Sequence, residues 1–158
     1  MDYDLIIIGA GPAGYVAGIR AGQAGLKTAV IEKKHVGGMC LNWGCIPSKA
    51  KLESAKYFSR LGMAADFGVE GVDPKSLKFS WEKGVKRSER IVRRLTKGVE
   101  YLLKKNNVET ITGTASVEAA DTVVVDNRML KAKNIIIATG SYPRPLPFKV
   151  GDESRIIN

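Results

Sequence analysis

Apolar residues fall along this chain in two rhythms. Short solid runs occupy residues 4 to 8 (Asp4-Leu5-Ile6-Ile7-Ile8), 28 to 32 (Thr28-Ala29-Val30-Ile31-Glu32) and 134 to 138, the last built around Ile135-Ile136-Ile137. Runs of this length, closed off by glycines or polar residues, read as strands buried on both faces of a parallel sheet. Between the first two runs the pattern predicts a helix from about Pro12 to Gln23, ended by Gly25. Together these 32 residues make a right-handed βαβ unit. Further on, residues 108 to 112, 115 to 118 and 122 to 125 read as short strands, punctuated by Gly113, Ala120-Asp121 and Asn127-Arg128; the middle ones form an antiparallel meander.

The second rhythm is helical. Ser48 to about Leu61 reads as one helix, followed by a loop from Gly62 to Lys78 that carries glycine, proline and aspartate. Ser80 is placed to cap a longer helix that runs to about Lys105 and ends at Asn106-Asn107. Its apolar residues Val85, Val92, Leu95, Val99 and Leu102 recur at three- and four-residue steps and mark one buried stripe. After residue 138, Pro143, Pro145 and Pro147 break regular structure. The fold class is therefore α/β: a Rossmann-like parallel sheet with a long helix and an inserted antiparallel meander, in a single domain over residues 1 to 158.

Composition narrows this picture. The chain has 158 residues with 44% hydrophobic and 26% charged positions, enough for one globular core. No apolar run approaches the ~20 residues of a membrane span, so no membrane association is expected. No basic n-region precedes the first strand, which points to the cytoplasm, where a lone cysteine pair is more often catalytic than structural. The net charge of +9 is unevenly spread: residues 81 to 105 hold nine lysines and arginines against Glu82, Glu89 and Glu100, an excess of six. A nucleic-acid face is one reading of that segment, and a solvated face opposite a buried stripe is the other. Only Trp81 and Tyr101 could stack bases there, which favours the solvated face.

Two motifs carry chemistry. Gly9-Ala10-Gly11-Pro12-Ala13-Gly14 is a G-x-G-x-x-G between a strand and a helix. In that setting the first glycine makes the tight turn, the second admits a pyrophosphate to the backbone, and the third lets helix and strand pack closely. Glu32 ends the second strand, where a carboxylate accepts hydrogen bonds from ribose hydroxyls and disfavours a 2′-phosphate. The turn alone does not say which dinucleotide is bound.

The second motif is Gly37-Gly38-Met39-Cys40-Leu41-Asn42-Trp43-Gly44-Cys45-Ile46-Pro47-Ser48-Lys49, which holds both cysteines of the chain. Residues five apart in a regular helix are about 8.6 Å apart, beyond the ~7 Å that a disulfide spans. If the pair closes, the backbone between them is not regular helix; Gly44 and Pro47 suit such a break at a helix start. A thiolate there gains from the helix dipole and from Lys49, so a lowered thiol pKa is expected. The alternatives are two free buried thiols or half of a metal site. Four intervening residues and a single histidine, His35, argue against zinc, and His35 reads as a solvated loop residue.

Taken in order, the glycine turn, the cysteine run and Ala138-Thr139-Gly140-Ser141 with Pro143-Arg144 resemble the FAD-dependent pyridine nucleotide-disulfide oxidoreductases. Leu41, Ile46 and Ser48 most resemble the dihydrolipoamide dehydrogenases within that family. The resemblance implies that Gly9, Gly11 and Gly14 seat the FAD pyrophosphate, with Gly38 and Met39 beside it, and that Glu32 holds the adenosine ribose. It implies that Cys40 exchanges with the dithiol substrate, that Cys45 is the flavin-proximal thiol, and that Lys49 lies near the reactive flavin nitrogen. Ala115 falls near the adenine contact, and Thr139 and Gly140 near the cofactor on the second crossing. Met39 stands where this signature usually has threonine, removing a hydroxyl that could bond the cofactor.

Complete members of the family add an NAD-binding domain and a dimerisation domain that carries a His-Glu base, and neither is found in these 158 residues. The implied function is the FAD and redox-disulfide portion of an enzyme that oxidises the dihydrolipoyl group of a lipoyl carrier domain and reduces NAD as a homodimer, the fragment alone not turning over. A glutathione-type or mercuric-type disulfide reductase, or a stand-alone flavin-binding electron-transfer module, are the alternatives.

Overall fold

The computed structural model describes residues 1–142, 144, 147 and 148. Pro143 and Pro145, two of the expected chain breakers, lie outside the described residues. The elements run β1 (Tyr3–Ile8), α1 (Pro12–Gln23), β2 (Thr28–Glu32), α2 (Gly38–Asn42), α3 (Cys45–Gly62), a 3₁₀ turn (Ala64–Phe67), α4 (Trp81–Lys105), β3 (Glu109–Thr112), β4 (Ala115–Ala119), β5 (Thr122–Val125) and β6 (Arg128–Ile137).

One six-stranded sheet has the order β3-β2-β1-β6-β5-β4. β1 pairs in parallel with β2 on one side and with β6 on the other, and β3 extends the parallel part beyond β2. β4, β5 and the start of β6 form the antiparallel meander. Because the chain leaves β1 towards β2 and returns beside it as β6, the carboxyl end of β1 is a topological switch point, where open parallel sheets bind ligands.

Period-two burial explains the layers. On one face of β1, Leu5 and Ile7 pack with Val30 under α1 and α4, whose Val99 and Leu103 complete the cluster. On the other face, Ile6 and Ile8 pack with Ile31, Val123, Val125 and Leu130, so the meander covers the side that the helices leave open. Ile6 and Ile7 are both fully buried, as a strand covered on both faces requires.

Three expectations need correction. The strand expected at residues 134 to 138 is the second half of β6, a ten-residue strand that begins at Arg128. Its first residues pair with β5 (Val125↔Arg128 to Thr122↔Lys131) and its last with β1 (Tyr3↔Ala132 to Ile8↔Ile137). In its first half the alternation of buried Leu130 and Ala132 with exposed Lys131 and Lys133 contains no apolar run. The helix expected from Ser48 starts three residues earlier, at Cys45, because Pro47 falls in the first turn, whose N–H groups have no intrahelical partner. The stripe of α4 runs through Ser88, Val99 and Leu103, while Leu95 and Leu102 point outward.

The Ser80 cap forms as expected: its hydroxyl accepts from the Lys83 N–H at 3.3 Å. Of the cations on α4, Arg87 turns inward and donates to the Ala50 carbonyl at 3.0 Å and to Ser54 Oγ at 3.2 Å, pinning α4 to α3. Among the described residues no helix is long and apolar enough to cross a membrane.

The Tyr3 hydroxyl crosses the sheet and donates to Glu109 Oε2 at 2.6 Å. Burial first, and then this bond to a carboxylate, push the Tyr3 pKa up to about 12. A pKa raised by folding adds stability that is complete below the unfolded tyrosine value of about 10 and disappears as pH rises through the folded value. The urea midpoint of the native chain should therefore fall between pH of about 10 and about 12 more steeply than that of Tyr3→Phe, which should itself cost about 1 kcal/mol near neutrality.

Candidate functional site

The site is built at the carboxyl ends of β1 and β2. Gly9 has φ +105°, and a Cβ there would lie 2.3 Å from the Ala138 carbonyl oxygen and 3.2 Å from the Thr139 Cα. Thus the first glycine of the turn abuts the Ala138-Thr139 crossing, which is anchored by the Ala138 N–H donating to the Ile8 carbonyl at 2.8 Å. At Gly14 a Cβ would fall 1.7 Å from the Gly9 carbonyl oxygen, so only glycine lets α1 rest on the loop after β1.

Gly11 is different. It precedes α1 with φ −70°, a conformation that any residue adopts. A Cβ on it would meet nothing closer than the Gly38 Cα at 3.9 Å. Neither the backbone nor the packing of this chain calls for glycine at Gly11. The space a side chain would fill lies in front of the N-terminus of α1, where free N–H groups and the positive end of the helix favour a phosphate.

Glu32 closes the turn from the other side. Its Oε2 accepts from the Ala10 N–H at 2.9 Å, and its Oε1 accepts from the Lys34 and His35 N–H groups at 3.0 and 3.3 Å. Three of its roughly four acceptor positions are filled, leaving one for a ligand hydroxyl. The Gly113 N–H donates to the Glu32 carbonyl at 3.1 Å, which brings the chain leading to Ala115 alongside. Ala115 itself packs partly buried against the meander-side core. On the second crossing, Thr139 and Gly140 are exposed. Tyr142 meets Lys33, whose ammonium lies 5.3 Å from its ring centroid. Hydrogen bonding between these two side chains lowers the Tyr142 pKa and raises that of Lys33.

The cysteine run is tied to the same turn. Gly37 and Gly38 have φ +95° and +57°, and the Gly37 N–H donates to the Ala10 carbonyl at 2.8 Å. A Cβ on Gly38 would come within 2.7 Å of the Gly11 Cα, so the two backbones touch. α2, a helix the apolar pattern did not indicate, starts at Gly38 and is held by Asn42 Nδ2, which donates to the Gly38 and Val36 carbonyls at 2.9 and 3.1 Å. The helix stops at Trp43, Gly44 turns the chain with φ −109° and ψ −110°, and Cys45 opens α3. The expected break between the cysteines is therefore present. Met39 is 44% exposed beside the glycine turn.

Both cysteines are free thiols, Cys40 half-buried and Cys45 exposed. The expectation of a lowered thiol pKa is reversed at Cys40. The hydrogen bond with the Cys45 side chain, followed by burial, raises the Cys40 pKa, and the Cys45 N–H and the Lys49 charge only partly offset this. His35 is an exposed loop residue, as expected, and meets Trp43 edge to face with ring centroids 5.4 Å apart. Among the described residues no cluster of three or more His, Cys, Asp or Glu side chains could hold a metal ion.

A glycine turn at a sheet switch point thus touches a bend that carries two adjacent thiols, the combination of a Rossmann-like sheet with a cysteine pair at its carboxyl end. The family model for pyridine nucleotide-disulphide oxidoreductases matches residues 3–157, and the chain belongs to that family. Among curated relatives, it is 49% identical over 140 residues to the dihydrolipoyl dehydrogenase of Acholeplasma laidlawii, covering 89% of this chain and 41% of that one. It is 47% identical over 146 residues to that of Mycoplasma genitalium, covering 92% and 32%. The chain thus spans between about a third and two fifths of the length of these relatives. Among solved structures it matches the flavoprotein disulfide reductase RclA of Escherichia coli, determined as a Cu(II) complex, with a TM-score of 0.73 and 24% identity. That match covers 90% of this chain and 29% of the other, and shows the shared fold.

The glycines divide into two kinds that stability measurements can separate. Gly14→Ala should lower unfolding free energy by about 1 to 3 kcal/mol or prevent folding. Gly11→Ala should stay within about 0.5 kcal/mol of the native chain in urea titrations. Equal losses would make Gly11 a packing residue.

Proposed function

We propose that this chain is the FAD-seating and redox-disulfide portion of a dihydrolipoamide dehydrogenase-like flavoenzyme, which as a whole oxidises the dihydrolipoyl group of a lipoyl carrier domain and reduces NAD. The observation that carries this reading is the contact of Gly11 with Gly38, which joins the phosphate-binding turn to the redox bend at backbone distance. The absence of a side chain at Gly11 leaves the N-terminus of α1 open to a pyrophosphate, and the spare acceptor position of Glu32 suits a ribose hydroxyl. In this reading Gly9, Gly11, Gly14, Gly38 and Met39 line the pyrophosphate, and Ala115 lies towards the adenine. Thr139 and Gly140 close the second crossing, and Lys49 lies towards the flavin ring. A flavin in that seat supplies a two-electron acceptor beside the thiols.

The exchange itself belongs to this chain. With the pair oxidised, one dihydrolipoyl thiolate attacks Cys40 Sγ, the Cys40–Cys45 bond breaks, and Cys45 leaves as a thiolate. The second substrate sulfur then attacks the substrate sulfur bonded to Cys40. Cys40 leaves as a thiolate and the substrate departs as a closed disulfide. Two electrons now rest on the cysteines and two protons have gone to solvent or to a base.

The complete enzyme acts in this reading as a homodimer in the cytoplasm. Exposed apolar residues on α3, the 3₁₀ turn and the start of α4 support the presence of covering partners: Tyr57, Phe67 and Trp81 are 65%, 76% and 63% exposed.

Two measurements test the reading. FAD fluorescence should be quenched saturably by the chain, and Gly11→Ala should weaken that binding about tenfold or more, equivalent to about 1.4 kcal/mol. Without flavin, iodoacetamide should alkylate the exposed Cys45 before the half-buried Cys40, whose pKa is raised. Excess FAD should reverse that order by covering Cys45. Unchanged alkylation of Cys45 in the flavin-loaded chain would contradict the assignment of Cys45 as the flavin-side thiol.

A further inference from the structure

Lys33 directly follows β2, and Tyr142 lies beyond the end of β6. These two strands are not neighbours: each pairs with β1, which runs between them. With adjacent strands about 4.8 Å apart, their ends are about 10 Å from each other. The segment after β6 and the contact between Lys33 and Tyr142 therefore together span the carboxyl end of β1, the switch point of the sheet. Gly9 marks the crossing, since a Cβ on it would strike the Ala138 carbonyl oxygen at 2.3 Å, and Gly140, with φ +73°, turns the chain before Tyr142.

The fold makes no use of this contact. Both side chains are exposed, Tyr142 at 76%, and neither belongs to a core cluster. They hold each other nonetheless: the ammonium stands 5.3 Å from the ring centroid, and hydrogen bonding between the two is the first cause of the shift in each pKa. The Glu32 carboxylate acts on both groups, and Lys34 on Tyr142, so the pair stands beside the carboxylate that suits a ribose hydroxyl. A cation and an aromatic ring attract each other weakly in water and more strongly once water is removed. A ligand lying against Glu32 removes that water. The contact is then worth more in the loaded chain than in the empty one, which is the condition for it to add to affinity.

We propose that Lys33 and Tyr142 are a positioning pair, which joins the two rims of the crevice over the adenosine half of the dinucleotide and slows its release. The proposal rests on the FAD-seating reading above and adds to it two residues that lie outside both the glycine turn and the cysteine run.

The test uses the chain loaded with FAD, with release followed by the recovery of flavin fluorescence on rapid dilution. Tyr142→Ala and Lys33→Met should each speed release about fivefold or more, while the urea midpoints of the ligand-free variants stay at the native value. The double variant should release FAD no faster than the faster single one, because either substitution already breaks the pair. Tyr142→Phe keeps the ring and should fall between the native chain and Tyr142→Ala. ADP carries the adenosine and the pyrophosphate without the flavin, and by calorimetry its affinity should fall in the same variants. Native release rates in the single variants, additive effects in the double variant, or a loss for FAD that ADP does not share would overturn the proposal. The two levels are separable: a native chain that binds no FAD defeats the FAD-seating reading and this inference with it, whereas saturable native binding with unchanged release in the variants defeats this inference alone.

Discussion

Everything in this structure depends on a close approach of backbones at the end of β1. Gly14 lies so near the Gly9 carbonyl that a single added carbon would overlap it at 1.7 Å. This contact sets the angle at which α1 leaves the sheet, and hence the direction of its free N–H groups. From that fixed point the other contacts follow. Gly9 seats the returning Ala138-Thr139 segment, Ala10 bonds the Glu32 carboxylate through its N–H and the Gly37 N–H through its carbonyl, and Gly11 meets Gly38. Three stretches far apart in sequence converge on this turn, two of them at the glycines and the third through the backbone N–H of Ala10.

The redox pair inherits its geometry from the same place. A regular helix through residues 38 to 62 would hold two cysteines five apart out of bonding range. Gly44 interrupts it, so Cys40 ends up on a short helix and Cys45 on the first turn of a long one. The cost of that arrangement appears at Cys40, where the neighbouring sulfur raises the thiol pKa despite the charge of Lys49. A raised pKa reduces the thiolate population but increases intrinsic nucleophilicity, and in the exchange we propose Cys40 is the sulfur attacked rather than the attacker.

Much of this was legible in the sequence, and for identifiable reasons. β1, α1 and β2 are bounded by glycines and solid apolar runs, and α4 by a serine cap, so local chemistry alone defines their ends. β6 was only half visible, because its first residues alternate Leu130 and Ala132 with lysines, and a search for apolar runs passes over such a strand. α2 was missed because five residues are too few to show a period. Leu95 and Leu102 misled because they sit beside the buried stripe of α4 rather than on it. The direction of the Cys40 pKa was unreadable: Lys49 is visible in the sequence, but the nearer sulfur contact exists only after the chain turns at Gly44. The cysteines and the glycine turn were named as site residues from spacing and from resemblance, and the structure adds the contact between them.

In the function proposed, a flavin seated on the glycine turn lies against the Cys40–Cys45 bend. The most direct test of this placement is the visible spectrum of the FAD-loaded chain during stoichiometric reduction with a dithiol. A long-wavelength charge-transfer band is expected after two electrons, present in the native chain and absent in Cys45→Ser. Tight FAD binding with no such band in the native chain would place the flavin away from the cysteines and contradict the account.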